Sequence, residues 1–383
     1  MNIHSYINQL IQFVETRDFA GYDPYDALNS PIVRALSLDH KYGRICWIQF
    51  FRRCPINFRP LLDLKPGHNA KGIGLFLGGY TRLYKLNQAS ETLEKIDYLI
   101  NLLKSLRSEG YSGNCWGYNF DWQSRIFFVP KGTPSIVCSS FVGHALMDAW
   151  EATRNQDALD LALPIKDFFL NDLNRTKEGD SFCFSYTPLD QSTVHNANLL
   201  GASLLIRLHK YTGDQQLYDM AMSSLSYSMK YQNSDGSWYY GNSRVQRWID
   251  SFHTGFNLEA IRHFFRMGQA LGYKDAYNEG VSYYANNFFL QDGTPKYYHN
   301  RIYPIDIHSP AEAVVFFSGE GTKYSDLTRR VLSWMLENMW HKKKGYFFFR
   351  KGRYFTNKIP YMRWSQAWGF HALTTFLINQ NHK

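Results

Sequence analysis

Two kinds of helix-forming segment alternate along the chain. In one kind small and apolar residues occupy every side; residues 72–79, for example, contain four glycines among apolar side chains. In the other kind apolar residues recur at three- and four-residue steps on a polar background: Leu93, Ile96, Leu99, Leu103 and Leu106. A helix that is apolar all round is buried between neighbours, whereas a helix with one apolar stripe covers a core. The alternation therefore predicts inner helices, each followed by an outer helix.

The inner segments recur at a regular spacing. Four of them open at a histidine: His68, His195, His253 and His308. These starts are 127, 58 and 55 residues apart. The first gap is about two periods long; a segment that begins at Ser139 fills it, and Arg363 begins the last segment. About six hairpins at this period favour a closed ring over an open solenoid, whose repeats are shorter. The sequence predicts an all-α fold, an (α/α)6 toroid that takes up residues 1–383 as a single domain.

Short aromatic segments bounded by turn residues lead into most inner segments: 114–118, 182–186, 237–241, 296–298 and 345–348. Such segments are typical of short strands and loops. If the inner helices run parallel around a ring, these segments and the four histidines converge on one mouth. We therefore expect the mouth of the ring to be aromatic and to carry the chemistry.

The composition is that of a folded globular protein, with 44% hydrophobic and 20% charged residues. The five cysteines are scattered and never spaced as C-x-x-C, which argues against a zinc site or a disulfide framework. No uncharged apolar stretch of 18 residues and no signal-peptide pattern is present. We expect a reduced, cytoplasmic protein that uses no metal and no cofactor.

The formal charge of +9 is concentrated in two places. Residues 34–65 hold seven Lys or Arg against two Asp, and residues 342–358 hold seven with no acid. Such patches are either solvated faces or contacts for an acidic partner, here an anionic glycan or lipid headgroups. A nucleic acid is not expected, because no binding module accompanies the charge. Since Trp47, Phe50 and Phe58 interleave with the cations of residues 34–65, a peripheral membrane contact through this segment is a further expectation, against an ordinary solvated hairpin.

The mouth combines rings that stack on sugar faces with polar side chains that bind hydroxyl groups. Helix N-termini add a positive dipole end, which favours an anionic sugar. The residues that we expect to bind such a substrate are His68, Trp116, Asp121, Trp122, Arg125, Asn198, Trp238, Tyr239, Arg244, Asp250, Asn257, His308 and Trp364. The sequence predicts no oligomeric state.

Several motifs resemble known proteins. NCWGYNFDWQSR at 114–125, PKGTP at 130–134, DGSWYYG at 235–241 and RWIDSFHTGFN at 247–257 resemble a family of (α/α)6-barrel proteins from bacterial exopolysaccharide and capsule biosynthesis clusters, over nearly the whole chain. More distantly, residues 236–240 and 247–254 are similar to the helical catalytic domain of heparosan D-glucuronyl C5-epimerases. That resemblance implies proton transfer by tyrosines, although Phe252 stands where that family has a tyrosine.

Three functions are compatible with these patterns. The first is an enzyme that removes the C5 proton of a uronic acid residue in an acidic glycan, which leads to epimerisation or to lyase-like elimination. This chemistry needs a group that neutralises the carboxylate, a base and a proton donor. We assign Arg247 or Arg244 with Asn257 to the carboxylate, Tyr240 and His253 to proton transfer, and His195 to the role of an alternative base.

The second function is a glycoside hydrolase, which needs two carboxyl groups on either side of the scissile bond. The carboxyl groups near predicted inner-helix starts are those of Asp121, Asp190, Asp250, Asp306 and Glu312. Aspartates before helices are more often N-caps or arginine partners. The third function is a non-catalytic glycan-binding protein, for which an aromatic mouth serves equally well.

Overall fold

The computed structural model describes residues 2–124 and 127–381. Within these residues six helical segments form an inner ring: α4 (Ala70–Asn87), α6 (Ile136–Thr153), α9 (His195–Thr212), α11 (Ser251–Arg266), α13 (His308–Ser318) and α15 (Trp368–Asn381), the last entered through a π-helical turn, Met362–Ala367. Each packs against the next, and α15 packs against α4. The ring is therefore closed, and the predicted all-α (α/α)6 toroid is confirmed.

Close contacts at glycines show how the inner helices are arranged. A Cβ atom at Gly72 would lie 3.2 Å from Cα of Arg363, and one at Gly255 would lie 2.5 Å from Cγ of Glu312. In both pairs the two residues lie near the start of neighbouring inner segments. The inner helices therefore run in the same direction and begin at one end of the ring, as the repeat predicts. Their glycines allow the backbones to approach closely.

The outer layer consists of amphipathic helices: α1 (Ile3–Glu15), α5 (Ser90–Ser105), α7 (Gln156–Ala162) with α8 (Ile165–Asn171), α10 (Gln215–Lys230), α12 (Lys274–Asn287) and α14 (Ser325–Met339). Their apolar stripes face the ring; in α5 the stripe is Ile96, Leu99 and Leu103, all of which are buried. Helix α1 packs against α15. The first helix in the chain thus covers the last inner helix.

The strands are short and lie in the connections at the ends of helices. They form four small antiparallel sheets: β1 (Trp122–Gln123) with β2 (Phe128–Val129); β3 (Arg175–Glu178) with β4 (Ser181–Phe184); β8 (Arg350–Lys351) between β5 (Ile305–Asp306) and β9 (Thr356–Asn357); and β6 (Trp340–His341) with β7 (Tyr346–Phe347). Of the five aromatic segments, those at 182–186 and 345–348 contain strands.

Two of the other aromatic segments are anchored by indoles. Trp116 Nε1 donates to the Leu103 carbonyl of α5 at 2.8 Å, and Trp238 Nε1 donates to the Ser228 carbonyl of α10 at 3.0 Å. Both indoles are buried. Equivalent tryptophans in two repeats therefore attach the loop before an inner helix to the preceding outer helix.

A helical insertion lies between α1 and α4. It contains short 3-10 turns, α2 (Pro31–Leu36) and α3 (Lys41–Arg53), and it has a small apolar cluster of its own. Arg59 is buried at the junction with the barrel, where it donates to Asp26 Oδ1 at 2.7 Å and to the Tyr361 hydroxyl at 2.9 Å. Among the described residues, no helix is both long and apolar enough to cross a membrane.

Candidate active site

A narrow cavity, too tight in this structure to hold a water molecule, lies at the mouth of the ring beside the start of α9 and α11. Its lining residues are Asn196, Trp238, Tyr239, Tyr240, Trp248, Asp250, His253, Thr254 and Asn257. All of them come from the loop at 238–250 or from the first turns of these two inner helices. The starts of two inner helices and the aromatic segment at 237–241 therefore border the same cavity.

Asp250 organises this cavity. It caps α11 by accepting the His253 backbone N–H on Oδ1 at 3.0 Å, and its Oδ2 lies 2.7 Å from His253 Nδ1. Trp248 Nε1 donates to the same Oδ2 at 3.0 Å, and the carboxylate is fully buried. A carboxylate at Nδ1 holds the proton on that nitrogen and stabilises the imidazolium cation. Nε2 of His253 is therefore the nitrogen that can accept a proton.

Tyr240 lies over this pair. Its ring stacks on Trp248 at 4.6 Å between centroids and lies 4.7 Å from the His253 ring. Burial, together with the nearby Asp250 charge, raises the pKa of Tyr240 far above its ordinary value. The phenol is therefore protonated at neutral pH and is a weaker acid than an ordinary tyrosine.

His308 faces the axis of the ring. Its imidazole is buried, 4.1 Å from the Trp364 ring and 5.1 Å from the Phe252 ring. Nδ1 lies 3.7 Å from Asp306 Oδ1, too far for a direct hydrogen bond, and neither ring nitrogen has a partner among the described residues. Burial lowers the pKa of His308 to about 3, so it is neutral at neutral pH. Buried polar atoms are normally paired, so these two nitrogens are an exception.

The neighbouring Asp306 is fully engaged. Its Oδ2 accepts from Arg350 Nη2 at 2.7 Å and its Oδ1 accepts from Trp364 Nε1 at 2.8 Å. These partners and the nearby His308 hold the pKa of Asp306 well below its ordinary value against the effect of burial. Asp306 therefore positions Trp364 at the mouth.

Two cations near the mouth have no counter-ion in the described part of the chain. Arg52, at the end of α3, places its guanidinium 5.3 Å from the Tyr25 ring, and its buried Nε has no hydrogen-bond partner. Lys71, in the first turn of α4, places Nζ 4.1 Å from the Phe141 ring. Burial lowers the pKa of Lys71 to about 7.

These two cations were missed by the sequence analysis. Lys71 could have been found, because it is the one charge in the small and apolar run 70–81. Arg52 lies in a basic segment that reads as a surface, and only the docking of the insertion turns it inward.

Several predicted site residues lie away from the cavity. His195 is buried between α9 and α10, with Nδ1 3.3 Å from Ser228 Oγ and Nε2 2.8 Å from Asn242 Oδ1. Burial lowers its pKa to about 4. Arg244 and Arg247 are exposed and do not line the cavity. The structure thus gives none of the three the contacts of the role assigned to it.

The remaining predicted residues divide between structural contacts and the mouth. Trp116 is in the core, and Asn198 is buried, where its Oδ1 accepts the Phe184 N–H. His68 Nε2 lies 2.7 Å from the Asp18 carbonyl oxygen. Asp121 pairs with Arg34 at 2.6 Å, and the half-buried Trp122 lies 6.1 Å from the Tyr186 ring. Those at the cavity or beside His308 are Trp238, Tyr239, Tyr240, Asp250, His253, Asn257 and Trp364. Arg125 lies outside the described residues.

The carboxyl groups do not form a facing pair at the mouth. Asp190 holds its own loop by accepting from the backbone of Tyr186 and Thr187. Glu312 is deeply buried, its Oε1 has no partner among the described residues, and burial raises its pKa well above the ordinary value. Asp250 is the carboxylate among the described residues that line the mouth cavity. No group of three or more His, Cys, Asp or Glu in residues 2–124 and 127–381 is arranged to hold a metal ion.

Neither a protein-family model nor a curated protein matches the chain. Solved structures do. Cellobiose 2-epimerase from Bacillus thermoamylovorans superposes with a TM-score of 0.65 and 14% identity over 98% of this chain and 100% of its own. A sugar epimerase from a ruminal bacterium gives 0.60 and 16%, over 82% of this chain and 88% of its own. A family 76 glycoside hydrolase, the α-mannanase of Bacteroides thetaiotaomicron, gives 0.63 and 13%, over 82% and 87%. At these identities the likeness shows the fold alone.

Proposed function

We propose that the protein is a carbohydrate-processing enzyme that transfers a proton at a sugar carbon, with the mouth cavity as its active site. The observation that carries the proposal is the Asp250–His253 pair, held under the ring of Tyr240 at the start of an inner helix. A buried carboxylate that orients a partly exposed imidazole is an arrangement suited to a general base. Sugar epimerases with the same fold support this function.

The reaction begins when His253 Nε2 takes a proton from a carbon next to a carbonyl or carboxylate group. The C–H electron pair moves into that group and gives an enolate, and the Asp250 carboxylate stabilises the imidazolium. Return of a proton to the opposite face of the carbon gives the epimer, and Tyr240 has the protonated hydroxyl for that step. Loss of an oxygen substituent from the next carbon would instead give an unsaturated product.

We propose further that the substrate is acidic and that the reacting carbon is C5 of a uronic acid residue. Arg52 makes no ion pair among the described residues, and helix N-termini at the mouth add positive potential. Arg244 and Arg247 are exposed. The role of neutralising the substrate carboxylate therefore passes from them to Arg52. The acidic polysaccharide of a cell-surface biosynthesis pathway, as the sequence resemblance implies, is a substrate of this class.

Glycoside hydrolysis is less well supported. Two carboxyl groups roughly 5–9.5 Å apart are needed, and the mouth cavity offers Asp250, whose oxygens already accept three hydrogen bonds. A purely glycan-binding role leaves the Asp250–His253 pair without a purpose.

The test is solvent exchange. The protein is incubated in deuterated water with a glucuronate-containing oligosaccharide and, separately, with cellobiose, and the products are followed by NMR and mass spectrometry. Deuterium at C5 of the uronate without chain cleavage is the expected result, and an unsaturated uronate would mean elimination. Deuterium only at C2 of cellobiose would support proton transfer but would refute the proposal that the substrate is acidic. New reducing ends would show a hydrolase, and binding without any exchange would show a lectin-like protein.

Variants locate the chemistry. His253→Gln should lower the exchange rate by about 10²- to 10⁴-fold, the contribution of a positioned general base, while the folded state stays intact. Arg52→Gln should raise KM for the acidic substrate more than it lowers kcat. Arg244→Gln, at an exposed arginine, serves as the control and should behave as the wild type.

A further inference from the structure

A second cavity lies inside the ring, deeper than the mouth. Its volume is about 240 Å³, and it is bounded by the later turns of the inner helices. Three rings, those of Phe141, Phe256 and Trp368, contact one another at 5.2 to 5.5 Å between centroids. They form one wall of this cavity. Arg266, with a half-exposed side chain, and Asn379 are also among its lining residues.

The wall of this inner cavity is rich in histidine and arginine. The imidazoles of His144 and His263 stack at 4.4 Å. Arg82 Nη1 lies 3.1 Å from His371 Nδ1, and Arg207 Nη1 donates to the His144 carbonyl at 3.1 Å. Burial and the nearby arginines lower the pKa of all three histidines well below the ordinary value. The histidines are neutral and offer hydrogen bonds without a charge of their own.

The arginines of this wall differ in their ion pairs. Arg207 pairs with Asp148 at 2.6 Å and with Glu151 at 3.0 Å, and Arg262 pairs with two glutamates. Arg82 has no carboxylate within ion-pair distance among the described residues; burial lowers its pKa, while Asp148 and Glu259 of the same wall act on its charge from further away. A buried guanidinium without a direct ion pair is destabilising. Its N–H donors suit an oxyanion from outside the chain.

Other buried polar atoms in the same wall also have no partner. They are Glu312 Oε1, Trp368 Nε1 and Thr375 Oγ1, in side chains that are at most 8% exposed. Burial raises the pKa of Glu312 well above its ordinary value. Donors and acceptors without partners around an aromatic wall are what a hydroxylated ligand requires.

The position of these residues follows the repeat. Arg82, Arg207 and His263 each lie 12 residues after the first residue of their inner helix, namely α4, α9 and α11. These three polar residues therefore lie at one depth of the ring.

We propose that the inner cavity is a second binding site, for a ligand of monosaccharide size that carries an oxyanion, either a phosphate or a carboxylate group. Arg82 and His371 bind the oxyanion. Glu312, Trp368 and Thr375 bind hydroxyl groups. The site is separate from the Asp250–His253 pair, and its occupation does not depend on the reaction proposed there.

The experiment is calorimetric titration of the whole protein with four probes: inorganic phosphate, glucose 6-phosphate, glucuronate and glucose. The two anionic sugars distinguish a phosphate site from a carboxylate site, and glucose is the neutral control. Binding of at least one anion is expected, with glucose at least tenfold weaker. Arg82→Gln should weaken the anion at least tenfold, whereas Arg353→Gln, an exposed arginine without an ion pair, should not.

Two further measurements separate this site from the mouth. The His253→Gln variant should keep its affinity for the anion, because that histidine belongs to the other cavity. The second measurement uses wild-type protein with ¹⁵N-labelled tryptophan, in which Trp368→Phe identifies the Trp368 indole signal. That signal should shift when the anion is added. This test remains available if the Arg82→Gln variant does not fold. Absence of anion binding by the wild type, equal affinity in Arg82→Gln, or an unmoved Trp368 signal would overturn the proposal.

Discussion

Lys71 gives a stability prediction whose size follows from the structure. Its ammonium group is enclosed by aromatic rings, only 5% of the residue is exposed, and burial lowers its pKa from 10.5 to about 7. Each pKa unit corresponds to about 1.4 kcal/mol. The charged form therefore costs the folded state about 5 kcal/mol relative to the unfolded chain.

Between pH 7 and 10.5 the unfolded chain binds the Lys71 proton and the folded protein has released it, so this residue makes stability rise with pH. Below pH 7 both states are protonated and the full cost remains. Lys71→Met keeps the unbranched apolar stem and removes the charge. The variant should be more stable than the wild type at pH 6 by several kcal/mol, and this gain should fade towards pH 10.5.

The assay is urea unfolding of both proteins at pH 6, 7, 9 and 10.5, followed by tryptophan fluorescence. Lys65→Met, at an exposed lysine, is the matched control and should change the midpoint little at any pH. A gain of the same size at every pH, or a loss of stability at pH 6, would refute the assignment of a depressed pKa to Lys71.

Three further predictions concern packing and surface. Gly255→Ala should destabilise the protein by about 1–3 kcal/mol, because its Cβ would lie 2.5 Å from Glu312 Cγ; a melting temperature as high as that of Gly272→Ala, which has open space, would contradict this. Trp116→Phe should cost about 1–3 kcal/mol, because it removes the indole hydrogen bond and leaves the buried Leu103 carbonyl with only the Leu106 N–H at 3.2 Å, and an unchanged melting temperature would show that water replaces the indole. The membrane contact stays a prediction, because residues 34–65 expose Leu38, Tyr42 and Leu61 beside cations. The protein should sediment with anionic liposomes, and less of it should do so in the Arg53→Glu variant and at high salt. Wild-type protein that stays in the supernatant would rule the contact out.

The ring itself could be predicted from the sequence, because its determinants are local. The apolar stripe of α5 indicates that one face of this helix is buried, and the glycines of α4 indicate that α4 is buried on all sides. Their recurrence fixes the number of units. The interior of the ring follows from these patterns together.

The orientation of single side chains could not be predicted in this way. His195 is the first residue of α9, whereas His253 is the third residue of α11. At about 100° per residue, two positions turn a side chain to the other side of a helix. His195 therefore contacts α10, and His253 faces the mouth. The spacing of the repeats predicts roughly where each helix begins. The exact first residue of the helix decides in which direction its side chains point.

The sequence also could not predict the direction of side chains that is set by packing against residues far away in the chain. Arg52 and Arg59 belong to a basic segment, yet each turns inward because the insertion rests on the barrel through Tyr25 and Tyr361. By contrast, the inner cavity had a readable signal in the polar residues 12 positions into three apolar helices. A search for repeats in the later turns of the inner helices would have found it.

The pairing of α1 with α15 shapes how the chain is made as well as how it is built. Helix α1 leaves the ribosome before the rest of the barrel, and its buried face, which includes Ile3, Ile7 and Leu10, has to wait for a partner near residue 370. At about 5–20 residues per second that interval lasts on the order of 20–75 s. For that time a five-sixths ring has one open seam and one unsatisfied apolar helix. The contact that completes the barrel is also the one between residues furthest apart in the sequence. We therefore expect synthesis to depend on chaperones and truncated chains to aggregate.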